Sequence, residues 1–339
     1  MQTKRCSNPI FIFIVLISLQ LFAGCGDQGS DTNTGREIKL SHSHAASDIS
    51  EIHAAATFFK KYVEERSDNL TVRIFANSQL GSEREVYESM QFGSGADAVI
   101  SGTAILSNFT DRIGVLDLPY LWKSYDHAHE VLDGEAGDEL ANDLGAVGFE
   151  VLAWLDSWGF RNVFVSDDQT TSLEGLRGKK IRTIRSPVYI EAIKLLEASP
   201  TPMSFSEVYS AMQTGVIDGF EHTASTVAAG NLDEIASNAL LTRHIFGPLV
   251  FAFSKARWNQ LSENQQELLS EAARATKTYQ RELAPEKEAA ALQLIQERGV
   301  NLHQIDTAPL RERATLLQNR LAGQRNATDL LEKIRRHQE

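Results

Sequence analysis

The sequence predicts an α/β protein of two lobes. Strand and helix signals alternate after an N-terminal leader, a second series of the same kind begins near Arg161, and the chain turns mostly helical from Ser262. Ile38-Lys39-Leu40 opens the first strand. Asp48 to Glu65 has the apolar spacing of an amphipathic helix, with its cap expected at Ser47 or Asp48. LTVRIFA alternates as a strand, SEREVYESMQFG reads as a helix, and ADAVISG as a further strand. VLDLPYLW is expected to be an ordered loop and EVLDGEAGDELANDLGA a helix. FEVLAWLDSWGF then reads as a strand that leads across to the second lobe.

In the second series GLRGKKIRTI is a turn and a strand, and SPVYIEAIKLLEAS is a helix. The stretch MSFSEVYSAMQTGVIDGFEH follows. Ser204 and Glu207 have the spacing of a capping box, Val208, Ala211 and Met212 mark an apolar face, and Gly215 stands where a left-handed cap is wanted. Val216-Ile217 reads as a brief buried strand. Asp218, Glu221 and His222 then fall at a strand end and the turn beyond it, where open α/β sheets place ligand groups. SENQ at 262 is another capping box, Pro285 is expected to interrupt or kink the helix, and RGVNLHQI offers a late strand.

A chain of 339 residues with 42% hydrophobic and 23% charged residues has the composition of an ordinary globular protein, long enough for two domains. The start departs from that average. Lys4 and Arg5 precede an apolar run, IFIFIVLISL, that ends in LFAGC; residues 1–24 read as a secretion signal, too short for a lasting membrane span. Of two cysteines only Cys25 would survive processing, and Ala23-Gly24 before it resembles a bacterial lipobox, although Phe22 stands where an aliphatic residue is usual. Cys25 is thus the candidate lipidation site, with a plain signal peptide and a soluble periplasmic product as the alternative. Residues 25–36 are small and polar, a flexible tether. The formal net charge of −12 argues against nucleic acid as a partner.

Arg161 and Arg182 carry most of the chemical information. A guanidinium offers a rigid fork of donors matched to a carboxylate, so two of them aimed into a cleft form a carboxylate clamp. His42 and His44 alternate, with Asp48 and His53 nearby, which is the pattern behind a rival reading as a metal-binding receptor. His127 and His129 are expected to face water. Nothing matches a phosphate-binding loop, a G-x-S-x-G elbow, a C-x-x-C pair or a zincin motif. No enzyme activity, cofactor or metal is therefore expected; a secreted hydrolase using Asp218 and Glu221 is the rival outside the binding proteins.

NSQLGSERE at 77–85, VLDLPYLW at 115–122, GLRGKKIRT at 175–183 and above all PTPMSFSEVYSAMQTGVIDGFEH at 200–222 resemble the solute-binding proteins of tripartite ATP-independent periplasmic (TRAP) transporters, of the C4-dicarboxylate-binding type. The resemblance implies a two-lobed periplasmic-binding-protein-like fold with a hinge and a long bridging helix. The lobes would be 37–158 plus 247–285 and 159–246 plus 286–339. It implies an organic-acid ligand whose carboxylate is held by Arg182, with Arg161 as a second arginine, Phe205 packing on the ligand and Glu83 reaching its hydroxyls. His222 departs from the pattern, since asparagine usually follows the glutamate there. Gly102 is small where the sialate-binding branch has an acid, which argues against a sialic acid.

The expected function is that of a periplasmic receptor, anchored through Cys25, that delivers a small organic acid to the small and large membrane subunits of an ion-driven TRAP permease. The candidate ligand residues are Arg182, Arg161, His222, Phe205, Glu83, Trp158 and His42. Trp158 and Glu83 tilt the choice toward a sugar acid, since a ring face wants an aromatic surface and hydroxyls want acceptors.

Overall fold

The computed structural model describes residues 35–337; the predicted leader and Cys25 lie outside the described residues. Strands β1 (Arg36–Ser41), β2 (Leu70–Phe75), β3 (Ala98–Gly102) and β4 (Phe149–Leu155) come first, and β5 (Arg161–Val165), β6 (Lys180–Thr183), β7 (Ser199–Pro202), β8 (Gly219–His222) and β9 (Asn238–Ile245) follow. The chain then returns through β10 (Leu249–Ser254), and β11 (Asn301–Gln304) comes last. They form a five-stranded sheet of order β2-β1-β3-β10-β4 and a six-stranded sheet of order β11-β9-β5-β8-β6-β7. β1 runs parallel to β2 and β3, whereas β10 is antiparallel to β3 and β4. In the second sheet β5 is antiparallel to β8 and β9.

Burial explains which segments became strands. β3 and β10 lie inside the first sheet and are buried along their whole length, so AVISG and LVFAFS read as continuous rather than alternating runs. For that reason β9 and β10 carry no period-two signal and were not anticipated. The helix Glu51–Glu64 buries Ile52, Ala55, Ala56, Phe59 and Val63 against the first sheet. Its cap is Ser50, whose hydroxyl accepts from the His53 amide at 3.2 Å, so the helix starts later than Ser47 or Asp48.

Four further expectations are corrected. The segment 125–146 is two helices, Tyr125–Leu132 and Glu135–Ala146, that pack tightly at the corner: a Cβ on Gly137 would stand 2.0 Å from the Leu132 carbonyl. Val216-Ile217 is not a strand; Val216 is exposed, and β8 begins at Gly219, so Glu221 and His222 sit within the sheet rather than in a turn after it. His127 does not face water but is buried against the Ile334 carbonyl, and His129, still partly exposed, lies 2.8 Å from an Asp156 carboxylate oxygen. Pro285 does not interrupt its helix, which runs unbroken from Glu263 to Glu297.

The last correction has a physical cause in the crossing between the sheets. The chain passes from β4 to β5 through 156–160 and from β9 to β10 through 246–248, while the long helix packs Leu269, Ala272 and Ala273 on the first core and Ala291 and Ile295 on the second. Gln280 clamps both backbone groups of Asp156, accepting from its amide at 2.9 Å and donating to its carbonyl at 3.1 Å. Glu288 accepts from the Phe160 amide at 3.0 Å and from the Tyr125 hydroxyl at 2.8 Å. Pro285 lies between these two clamps on the exposed side, so the one lost backbone bond is outweighed by anchors on either hand.

Gly159 completes the crossing. Its φ is +107°, and a Cβ there would fall 2.5 Å from the Glu288 carboxyl carbon. Gly159→Ala is expected to destabilise the protein by about 1–3 kcal/mol through strain and displacement of that carboxylate. Urea denaturation measures it; an unchanged midpoint would show that Glu288 can move without cost.

Candidate functional site

β5, β6 and β8 bring two arginines to one end of the second sheet. Arg161 opens β5 and is fully buried, and Glu221 lies on the neighbouring β8. The Arg161 Nε donates to one carboxylate oxygen of Glu221, and its Nη2 donates to the other at 3.0 Å and to the Glu221 carbonyl at 3.0 Å. Thr183 Oγ1 from β6 donates to the same carboxylate at 3.1 Å, and His244 Nε2 from β9 lies 3.7 Å away. Burial pushes the Glu221 carboxyl up, but Arg161 and His244 more than reverse this and hold it at about 2.

Arg182, on β6 beside Phe220, is also buried, yet it has no carboxylate partner of its own. Its Nε and Nη2 donate to the Met203 carbonyl at 3.2 and 2.9 Å. Burial lowers it to about 10, so it stays charged at neutral pH. The Nη1 atoms of Arg161 and Arg182 and the Nε1 of Trp158 are buried without a hydrogen-bond partner. Three donors left bare are costly unless something accepts from them.

The walls are aromatic. Trp158, in the crossing between the sheets, stacks on His44 with ring centroids 5.0 Å apart and planes 11° apart, and Phe205 stacks on the other neighbour position of His44 at 5.6 Å. His222 meets His44, Trp158 and Phe205 edge-on at 5.7, 5.5 and 5.2 Å. Its Nδ1 accepts from the Thr223 amide at 2.9 Å, which leaves Nε2 as the protonated nitrogen of the neutral ring. Burial, then Arg161, His44 and Arg182, keep His222 well below the ordinary histidine range; burial, then His42 and Arg161, lower His44 to about 3.

Glu83 begins the helix Glu83–Gln91, whose Ser82–Glu85 capping box fixes the turn, and it accepts from the Ser101 hydroxyl. Glu83, Arg182, Trp158, Phe205 and His222 line one small chamber with Gly102 and His44, and its free space of about 10 Å³ holds about one water. It opens into a cleft of about 460 Å³ that shares Glu83, Arg182 and Phe205. Gly102 makes room for the indole, since a Cβ there would stand 3.0 Å from Trp158 Cη2.

Two expected residues lie elsewhere. Arg161 stands behind the wall, its guanidinium carbon 5.9 Å from the Trp158 ring centre. His42 is paired with His53, Nε2 to Nδ1 at 3.1 Å, and is not among the chamber's lining residues. The strand ends at Ser41, so the alternation of His42 and His44 does not put both rings on one face. His44 takes the place in the chamber; its repeated histidine pattern was the only sequence signal for it. Asp218 faces away and accepts from the Lys180 amide at 2.7 Å. Among the described residues no group of three or more His, Cys, Asp or Glu is arranged to hold a metal ion.

Residues 42–323 match the family described as bacterial extracellular solute-binding protein, family 7. The chain belongs to this family. Its members are the solute-binding proteins of TRAP transporters, periplasmic ligand receptors rather than enzymes. The chain is 33% identical to the 2,3-diketo-L-gulonate-binding periplasmic protein YiaO of Escherichia coli, over 74% of this chain and 76% of that one. It is 31% identical to the C4-dicarboxylate-binding periplasmic protein DctP of Rhodobacter capsulatus, over 77% and 78%. Among solved structures it resembles a sugar acid binding protein of Advenella mimigardefordensis in complex with galactonate, with a TM-score of 0.84 at 27% identity, covering 90% of this chain and 99% of that one. A TRAP periplasmic solute binding protein of Xanthobacter autotrophicus with bound β-D-galacturonate gives a TM-score of 0.81 at 28% identity, over 88% and 98%. The two-lobed fold of this family is the one described above.

The Arg161–Glu221 pair can be tested without a ligand. Removing one partner of a buried ion pair strands the other charge, so Glu221→Ala is expected to cost about 3–5 kcal/mol of unfolding free energy. Because the folded carboxyl titrates near 2, below its unfolded value, its contribution is complete above the ordinary carboxylate range and is lost as pH falls toward about 2. Chemical denaturation of both proteins at several pH values checks both statements; a loss of less than about 1 kcal/mol at neutral pH would contradict them.

Proposed function

We propose that this chain binds a hydroxylated monocarboxylate, a sugar acid, in the cleft of about 460 Å³ together with the chamber that opens into it, and delivers it to a TRAP membrane permease. The observation that carries the reading is Arg182, a buried cation with a bare Nη1 on the chamber wall and no carboxylate partner. Arg161 is already neutralised by Glu221, so one fixed positive charge is available to the ligand. Glu83 is an acceptor on the same wall. A second carboxylate would meet Glu83 instead of a cation, whereas a hydroxyl would find an acceptor there. The relatives solved with galactonate and galacturonate support the same class.

In this reading the Arg182 Nη1 holds the ligand carboxylate, and Trp158 and Phe205 pack on its carbon skeleton. His222 Nε2 donates to an oxygen, and His44 lies among the ligand contacts. Arg161 acts through Glu221 and Trp158 rather than by direct contact. The protein is held at the membrane through an acylated Cys25 and a polar tether, and the permease's small and large subunits receive the released acid.

A thermal-shift screen with D-galacturonate, D-galactonate and succinate tests the class, because a ligand bound only by the folded state raises the melting temperature. The sugar acids are expected to stabilise and succinate to do so weakly; a shift with succinate alone would overturn the class. Arg182→Ala leaves a ligand carboxylate unpaired at a cost of about 2–5 kcal/mol, roughly 30-fold to several thousand-fold in affinity, with the fold intact. Arg182→Lys should also bind poorly, since an ammonium lacks the planar fork. Calorimetry decides; a loss below threefold would place the carboxylate elsewhere. For the anchor, Cys25→Ser is expected to move the protein out of the membrane fraction, and unchanged fractionation would remove the anchor.

A further inference from the structure

A buried carboxyl that the site does not use joins the two halves of the molecule. Glu51 is the first residue of the helix Glu51–Glu64 on the first-sheet side, and Ser225 belongs to the helix Ala224–Ala229, packed in the second core. The two side chains meet at the Trp158 main chain. Ser225 Oγ lies 2.9 Å from Glu51 Oε1 and 3.0 Å from the main-chain carbonyl oxygen of Trp158.

Proton counting decides the state of this contact. If Glu51 is ionised, the single hydroxyl proton of Ser225 faces two acceptors and can serve one. Thr223 Oγ1, 3.3 Å from Ser225 Oγ, does not relieve the deficit, because a donor to Ser225 cannot also satisfy Glu51 or the Trp158 carbonyl. Glu51 Oε2 is meanwhile buried with no partner. One added proton resolves the chain: Glu51 donates to Ser225, and Ser225 donates to the Trp158 carbonyl. An ionised carboxylate here would be a buried charge served only by its own helix amide and a shared serine proton, with Oε2 left bare, the costlier alternative.

We propose that Glu51 is a positioning residue that works as a neutral acid: protonated, it holds the Trp158 backbone through Ser225. Burial, the largest cause, and Glu288 on the long helix raise Glu51; its own helix amide, Ser225 and Lys287 lower it, and the balance lies at about 7. The Lys287 ammonium is engaged by the Asp48 carbonyl. Tyr125 points its hydroxyl at Glu288 rather than at Glu51. From the Ala224–Ala229 helix Ser225 meets it directly, and the Trp158 carbonyl in the crossing is reached through Ser225.

Only the choice of probe rests on the sugar-acid reading. In a difference infrared spectrum of ligand-free wild type against Glu51→Gln at about pH 6, a protonated carboxylic acid C=O band should be present in the wild type and absent in the variant. The absence of that difference overturns the proposal, whether or not any sugar acid binds. Calorimetry with D-galacturonate gives the second reading. Glu51→Gln, whose amide can donate to Ser225, should keep the affinity within threefold of wild type, while Glu51→Ala and Ser225→Ala should weaken binding at least tenfold. A loss of tenfold or more in Glu51→Gln, or none in Glu51→Ala, overturns the proposal; failure of galacturonate to bind overturns the sugar-acid reading and leaves the infrared result to decide Glu51.

Discussion

A carboxylate buried in the middle of the second sheet fixes the ligand wall. Glu221 stands on β8 and is reached by Arg161 from β5, Thr183 from β6 and, at longer range, His244 from β9. Four strands therefore converge on one side chain, and a slip of any of them by a residue would strand a charge in the interior. The pair also does electrostatic work. It cancels the charge of Arg161 and leaves Arg182 as the cation on the chamber wall without a carboxylate partner, which is the ground of the monocarboxylate proposal.

The same constraint reaches the crossing between the sheets. Arg161 directly follows the segment 156–160, whose backbone is held by Gln280 and Glu288 of the long helix, and Trp158 projects from that segment into the chamber. The positions of the indole, the guanidinium and the helix are thus set together. The chamber is lined from both sides, by Glu83 and His44 from one and Arg182, Phe205 and His222 from the other. A ligand that bridges them stabilises the closed arrangement only through contacts that the open one lacks. Stacked rings of neutral imidazole and indole suit this role, because they give apolar area without adding charge to a chamber that must admit an anion.

Much of the scaffold was legible from local signals. The capping boxes at Ser204 and Ser262 occur where the spacing indicates, since a cap is decided within four residues. The alternating LTVRIFA became the edge strand β2, half-buried as its pattern requires. What failed depended on distant partners. Pro285 stays helical because Gln280 and Glu288 are clamped to the hinge, more than 120 residues away in sequence. His127 is buried against the Ile334 carbonyl from the far end of the chain, and β10 has no alternation because a strand covered on both faces needs none.

For the site, the chain by itself determined the inventory: two arginines, a phenylalanine after a capped turn, an acid opening a helix, and an indole before Arg161, all in segments whose spacing matches one family of receptors. Tertiary structure decided how those groups divide the labour. Arg161 and Arg182 are the same residue type at similar strand ends, yet one is neutralised by Glu221 and the other faces the chamber, because only the sheet order puts β8 between β5 and β6. His42 and His44 are two residues apart, and the end of β1 at Ser41 turns one toward His53 and the other between Trp158 and Phe205. Glu51 carries no local sign of its role. A carboxyl in the first turn of a helix is ordinarily a solvated favourable charge, and only the helix that packs over it from the second core removes the water and leaves one serine proton for two acceptors.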